Sequence, residues 1–163
     1  MRLGDTKMTT KNQLQTKITE LEEQLNSFKQ QLNTYKETPT IQEVMVGNTL
    51  DDGSIVLKKE NGLALLVAPK NTEVEEVWSK EFPEVFEKLK SNGFNPSQWF
   101  VPSIEQLKLA YRNVPNDFSS TPYWSSTEFN SSYACSMNFN SGNTHSNGKR
   151  LTCCVRAFRC VTY

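Results

Sequence analysis

A heptad repeat of apolar residues runs through the N-terminal part of the sequence. Apolar residues recur there at alternating spacings of four and three, and they are Leu14, Ile18, Leu21, Leu25, Phe28, Leu32 and Tyr35. All residues between them are polar, so the apolar stripe is narrow. A lone helix of this kind is marginal in water, because its apolar face has nothing to pack against. The spacing therefore predicts a coiled-coil oligomerisation helix over residues 10–37.

Flanking residues indicate the limits and direction of this helix. Thr10, with Gln13 three positions later, is a candidate capping box at its start, and Pro39 is expected to end it. Lys17 at a g position and Glu22 at the following e position have opposite charges, which favours parallel strands. The alternative is an amphipathic helix packed on its own domain, but the stripe is narrow for that role.

The rest of the sequence predicts an α+β domain over residues 46–163. Residues 1–9 show no periodicity and are interpreted as a tail or anchor peptide, and residues 38–45 as a linker. Within the domain, Asp51-Asp52-Gly53 and Asn61-Gly62 are turn sequences that predict hairpins.

Two helices and further strands are expected after these hairpins. Helical spacing predicts a helix over residues 73–91, with Pro83 as a point where it divides, and Ser103 predicts the N-cap of a second helix over residues 104–112. One closing buried strand is predicted from Val155, Phe158 and Val161. The first and last strands are expected to pair, which would bring the two ends of the domain together.

A polar, turn-rich segment lies between residues 130 and 147. Asn, Ser and Gly favour turns, and such segments between buried anchors often form binding surfaces. The candidate ligand-binding residues are Asn130, Ser131, Ser132, Tyr133, Asn138, Asn140, Asn143, His145 and Asn147. Tyr133 is expected to contribute most, because tyrosine supplies apolar area together with a hydrogen bond. The alternative interpretation is an ordinary solvated loop.

Strand alternation within this segment makes a second, finer prediction. Successive side chains of a strand point to opposite faces of the sheet. Asn138 and Asn140 are therefore assigned to one face, and Met137 and Phe139 to the other.

Two blocks of the sequence resemble a known family. W-S-S-T-E stands at Trp124–Glu128 with V-R-x-x-R at Val155–Arg159, and W-F-V-P-S-I-E-Q-L precedes them at Trp99–Leu107. These blocks, and their order, are similar to the DUF1566 / Fibrobacter major-paralogue group of C-type-lectin-like domains. The similarity covers residues 46–163. Two departures are that Glu105 lies one place early and that Phe100 replaces a usual arginine.

The resemblance implies a C-type-lectin-like domain used for binding, here on an N-terminal parallel coiled-coil helix as in phage fibre proteins. Fibre proteins are usually trimers, and the mixed seam fits no simple dimer rule, so we expect a homotrimer. The implied function is that of a phage virion protein, in a tail fibre or tail tip, that binds host cell-surface glycan or protein. It would assemble in the host cytoplasm and contact other virion proteins through its N-terminal segment. A structural or decoration protein of the virion and a bacterial surface adhesin are the alternatives.

Composition narrows the expected partners. The N-terminal residues lack the apolar stretch of a secretory signal, which predicts folding in a cytosol and counts against the adhesin. No run approaches the roughly 20 apolar residues of a membrane helix, so membrane insertion is not expected. Eighteen basic and 18 acidic residues balance, which argues against nucleic acid as a partner.

No residue pattern predicts an enzyme, a metal site or a cofactor. His145 is the only histidine, and no nucleophile is evident beside it. The cysteines Cys135, Cys153, Cys154 and Cys160 lack zinc-site spacing and are expected to be free thiols, with the two adjacent ones on opposite faces of a strand. A bond from either of those two to Cys135 or Cys160 is the alternative. The calcium motifs E-P-N, Q-P-D and W-N-D of animal C-type lectins are missing, so calcium-independent binding is expected.

Overall fold

The computed structural model describes residues 3–37, 41 and 43–163, with side chains for residues 13–30, 41 and 43–163. The chain divides into two units, Met1–Pro39 and Thr40–Tyr163. Within the described residues, no helix is both long enough and apolar enough to cross a membrane.

The first unit contains one long helix, α1 (Leu3–Glu37). The predicted start at Thr10 is wrong, because Thr10 lies inside the helix and residues 3–9 are helical too. Once a helix has nucleated, each further residue adds a hydrogen bond, and residues 3–9 contain no proline to stop it. The C-terminal end was predicted correctly, since the helix ends at Glu37, two positions before Pro39.

The apolar seam of α1 is exposed wherever its side chains are described. Exposures between 46% and 66% are found for Leu14, Ile18, Leu21, Leu25 and Phe28. The side chains of Leu32 and Tyr35 lie outside the described residues. A seam that stays in water gains no hydrophobic stabilisation.

The second unit combines helices with two sheets, which confirms the predicted α+β class. Its helices and strands are β1 (Ile55–Glu60), β2 (Leu63–Val67), β3 (Val74–Val77), α2 (Pro83–Ser91), α3 (Ile104–Asn113), β4 (Pro122–Glu128), β5 (Tyr133–Asn138), β6 (Thr144–Gly148), β7 (Thr152–Val155) and β8 (Phe158–Thr162). One sheet has the order β1-β2-β8 and the other the order β3-β7-β4-β5-β6.

The three-stranded sheet contains the predicted hairpin at Asn61-Gly62. Both residues have positive φ, 51° and 75°, which matches the right-handed twist of a two-residue hairpin turn. The other predicted hairpin is reduced to a turn at residues 51–53 and a single bridge between Thr49 and Ile55. The last strand pairs with β2 and not with β1, so the expected pairing of first and last strands is wrong by one strand.

The predicted helix over residues 73–91 is wrong in its first part, where β3 lies. Val74–Val77 pairs with β7, and the helix α2 begins only at Pro83. The buried carboxylate of Glu76 accepts hydrogen bonds from the backbone N–H groups of Glu84 (3.3 Å) and Val85 (3.2 Å), in the first turn of α2. Glu76 therefore caps the helix from the neighbouring strand, an arrangement that helical spacing alone does not reveal.

The predicted N-cap at Ser103 is confirmed and extends to a full capping box. The Ser103 hydroxyl accepts from the Gln106 backbone N–H at 3.3 Å, and the Gln106 side chain accepts from the Ser103 N–H at 2.8 Å. Glu105 lies one position before the acidic residue of the family motif. The helix is capped nonetheless, because Gln106 occupies the capping-box position.

The predicted closing strand is two strands in different sheets. Val155 ends β7 and Phe158 begins β8, with the change of sheet at Arg156 and Ala157. The prediction for the adjacent cysteines is confirmed, since Cys153 packs in the core cluster around Trp124 and Cys154 in the cluster around Tyr123. The five-stranded sheet is thus buried on both faces near its centre.

Candidate functional site

The W-S-S-T-E block holds β4 to its neighbours. Trp124 is fully buried, and its indole N–H donates to the carbonyl oxygen of Glu76 at 3.2 Å. The Ser125 hydroxyl donates to the carbonyl oxygen of Cys135 at 2.6 Å, and the Thr127 hydroxyl accepts from the first backbone N–H of α3 at 3.0 Å. The block therefore holds β3, β5 and α3 in place around β4. The exposed side chains lie in the loops next to these strands.

The structure separates the predicted ligand-binding residues into groups at opposite ends of β5. Residues 130–132 form the β4–β5 loop beside Tyr133, and Asn147 is paired with Ala134 nearby. Asn138, Asn140 and Asn143 belong to the β5–β6 turn at the other end. The five-residue step along β5 separates the two groups by about 17 Å, too far for one small ligand.

Two of the predicted residues also lie on different faces of the sheet. Tyr133 pairs with Gly148, and Ser136 pairs with His145 on the edge strand β6. Because Tyr133 and Ser136 are an odd number of positions apart, Tyr133 and His145 point to opposite faces. Met137 and Phe139 are buried while Asn138 and Asn140 are not, which agrees with the predicted alternation.

Three of the predicted asparagines hydrogen-bond within the domain, two of them to nearby loop backbone and one between strands β6 and β5. The side-chain oxygen of Asn130 accepts from the N–H groups of Ser132 and Tyr133, both at 2.9 Å. The Asn138 side chain accepts from the Asn140 N–H at 2.8 Å, and the Asn147 amide donates to the Ser136 hydroxyl at 2.9 Å. Local bonding of this kind explains why asparagine is common here, whether or not a ligand binds.

Lys149 is the central charged group at the β4–β5 end of the sheet. Its ammonium donates to the carboxylate of Glu128 and to the Ser131 carbonyl (3.1 Å), and it lies 4.3 Å from the centroid of the Trp78 ring. The hydrogen bond from Lys149 holds the pKa of Glu128 below its usual value. The sequence analysis missed Lys149, although it stands out as a basic residue next to a polar, uncharged loop.

Exposed apolar side chains occur in the chain segments that adjoin Lys149. Phe129 is 64% exposed and its N–H donates to the Tyr133 carbonyl, while Leu151 and Val77 are also largely exposed. The Trp78 N–H donates to the Lys149 carbonyl, which brings the end of β3 into the same region. We call Val77, Phe129, Tyr133, Lys149 and Leu151 the Lys149 surface. Phe129 could have indicated this surface from the sequence, because an aromatic residue in a turn-rich loop is seldom needed for the turn itself.

No metal centre is evident in the part of the chain that the structure describes. Within it, no group of three or more His, Cys, Asp or Glu side chains is placed to hold a metal ion. No protein-family model and no curated protein matches the chain. The resemblance to the DUF1566 group therefore stays a prediction, and the Lys149 surface is argued from its own geometry.

Replacing Gly142 by alanine should destabilise the β5–β6 turn. Gly142 has a φ of +75°, and an added Cβ would lie 2.6 Å from a ring carbon of Tyr111. Overpacking of this kind costs about 1–3 kcal/mol, to which the left-handed backbone adds. Gly148→Ala is the matched control, because its Cβ would meet no atom within 4 Å. The urea midpoint of Gly142→Ala should therefore be lower than that of Gly148→Ala. Equal midpoints would contradict the close packing of Tyr111 against Gly142.

The four cysteines should differ in their reactivity toward iodoacetamide. Cys160 is exposed, whereas Cys153 and Cys154 are buried, and burial raises the pKa of Cys153 to about 11. Alkylation requires the thiolate, so Cys160 should react first near pH 8 and the buried pair only after unfolding. Peptide mass spectrometry with and without denaturant measures the order, and early labelling of Cys153 would refute its burial.

Proposed function

We propose that this protein is a multivalent binding protein of a phage virion, in which α1 self-associates and displays several copies of the C-terminal domain. The observation that carries the proposal is the exposed seam of α1. Five apolar residues at heptad spacing remain in water, while the C-terminal domain buries an apolar core of its own. A parallel homotrimer is the assembly we favour, since it covers the seam and gathers the domains at one end of the helices.

The Lys149 surface is the binding surface we propose for each domain. Solvent-exposed apolar groups beside an ion pair, here Lys149 with Glu128, are typical of interaction sites. Tyr133 and Phe129 supply apolar area, and the Tyr133 hydroxyl can also hydrogen-bond. The resemblance to C-type-lectin-like domains supports a host cell-surface glycan or protein as the ligand.

Linked copies would compensate for weak binding at each surface. Once one domain of an assembly is bound, the others meet the ligand at high effective concentration, which raises overall avidity by about 100-fold or more on a repetitive surface. The helix and the binding surface therefore serve one function.

The test is binding of the full chain to a panel of bacterial cells and a glycan array. Phe129→Ala with Tyr133→Ala should reduce binding about 30-fold or more, as expected for two aromatic contacts worth about 2 kcal/mol together. Asn140→Ala with Asn143→Ala, at the other end of β5, is the matched control and should bind normally. If the Phe129→Ala, Tyr133→Ala variant binds as well as the unmodified chain, the Lys149 surface is refuted. If the Asn140→Ala, Asn143→Ala variant loses binding, the site lies at the β5–β6 turn. A failure of the unmodified chain to bind any probe would favour a structural or decoration role in the virion.

A further inference from the structure

Arg156, in the V-R-x-x-R block, is a buried cation with an incomplete set of hydrogen bonds. Its side chain is 1% exposed. Its Nε donates to the Ala68 carbonyl at 2.7 Å and its Nη1 to the Asp117 carbonyl at 2.5 Å, but its Nη2 has no partner. The guanidinium lies 5.0 Å from the centroid of the Phe118 ring. Two backbone carbonyls and an aromatic ring thus hold the group in place and leave the Nη2 nitrogen without a partner.

No carboxylate of the described residues pairs directly with this cation. The ion pairs found among the described residues do not include Arg156. The nearby Glu73 is already engaged, since it accepts from Lys70 at 2.8 Å and from the Tyr123 hydroxyl at 2.6 Å. Burial lowers the pKa of Arg156, and Glu73, Tyr123 and Asp117 oppose that effect. A buried charge without a direct partner is costly, and a bound anion would offset that cost.

A cavity of about 360 Å³ lies beside Arg156. Its walls come from the loop before β1, the turn before β3, the loop after α3 and the β7–β8 junction. They include Thr49, Lys70, Asn116 and Ser119 as well as Arg156. This volume is in the range of small-ligand sites, and the wall carries the cations of Lys70 and Arg156, the carboxylate of Asp117, an amide and hydroxyls.

The wall before β1 is held in place without a ligand. Asp52 accepts from Arg159 at 2.5 Å, which ties this loop to β8. Gly53, with a φ of +80°, lies so close to Pro69 that an added Cβ would be 3.2 Å from its ring. A preformed wall loses little freedom when a ligand binds, which favours affinity.

We propose that this cavity binds the carboxylate of an acidic monosaccharide unit, with Arg156 at its inner end and Lys70, Asn116 and Ser119 around the ligand. The Nη2 of Arg156, which has no partner in the protein, is the donor for the carboxylate, and the amide and hydroxyl groups suit sugar hydroxyls. The cavity shares no residue with the Lys149 surface, so this inference goes beyond the proposed function and does not depend on self-association.

The test is isothermal titration calorimetry of the full chain with three probes. Sodium glucuronate should bind saturably, methyl glucoside, which has no carboxylate, should not bind, and N-acetylalanine should bind about tenfold more weakly than glucuronate. Tighter binding of N-acetylalanine would support the carboxylate site but assign it to a peptide C-terminus, and would overturn the sugar assignment. Absence of saturable binding by either carboxylate, or equal binding of methyl glucoside, would overturn the proposal.

Variants at the rim separate binding from folding. Arg156→Lys keeps the charge but removes the guanidinium that bonds to the Ala68 and Asp117 carbonyls, so this variant does not separate binding from folding. Asn116→Phe, at an exposed position, should fill the cavity mouth and weaken glucuronate binding at least about tenfold without unfolding the domain. Asn140→Phe, in the exposed β5–β6 turn, is the matched control and should bind glucuronate normally. Unchanged binding by Asn116→Phe would overturn the placement of the site.

Discussion

Replacing Leu25 by aspartate should leave the full chain monomeric while the C-terminal domain stays folded. Leu25 is the fourth of the seven seam residues and is 53% exposed in the single chain. In a parallel assembly, every helix would place a carboxylate at the same buried layer, and burial of unpaired charges is strongly unfavourable. The separated helix is marginal alone, so helix content should fall together with molar mass. Light scattering and far-UV circular dichroism measure the two effects.

Asn26→Asp is the matched control for this variant. It introduces the same side chain one position along, at a heptad position that faces away from the seam, and should leave the assembly intact. A monomeric unmodified chain, or a Leu25→Asp chain that remains assembled, would refute self-association through the seam. A dimer of the unmodified chain would refute only the trimer. Binding to cells should weaken in Leu25→Asp even with an intact Lys149 surface, because avidity is lost.

Replacing Trp124 by alanine should destabilise the C-terminal domain by about 3–5 kcal/mol. The side chain is 0% exposed, so its removal leaves a large cavity in the cluster that also contains Val85, Leu89 and Val155. The loss of its N–H also deprives the Glu76 carbonyl of a donor. Calorimetric melting of the full chain should show a clearly lower transition for the domain.

Two further variants divide this effect into its parts. Trp124→Phe keeps much of the apolar volume but removes the N–H, and should cost about 1–3 kcal/mol. Phe129→Ala, an exposed aromatic just beyond the same strand, is the control and should change stability by no more than about 0.5 kcal/mol. If Trp124→Ala melts like Phe129→Ala, the proposed structural role of the W-S-S-T-E block is wrong.

Features that depend on a few neighbouring residues could be predicted from the sequence. The heptad spacing predicted a helix that ends before Pro39, Asn61-Gly62 predicted a hairpin, and Ser103 predicted a helix start. In each case the deciding interactions join residues no more than about four positions apart, such as helix hydrogen bonds, a two-residue turn or a capping box.

Features that depend on distant partners required the tertiary structure. Residues 74–77 carry helical spacing but form a strand, because β7 offers them a partner and Glu76 there caps a helix that begins later. Val155 and Phe158 look continuous in sequence but belong to two sheets. The spacing of apolar residues within a segment does not show which distant strand it pairs with or which distant helix it caps.

The candidate sites show the same division. Composition located a polar loop region, but the pairing of β5 with its neighbours separated its residues into two ends and two faces. The Lys149 surface and the cavity beside Arg156 each join residues from several distant segments, so no short motif could reveal them. Burial decides their chemistry as well, because an arginine is ordinary at a surface and becomes a candidate anion-binding group only when the folded chain encloses it.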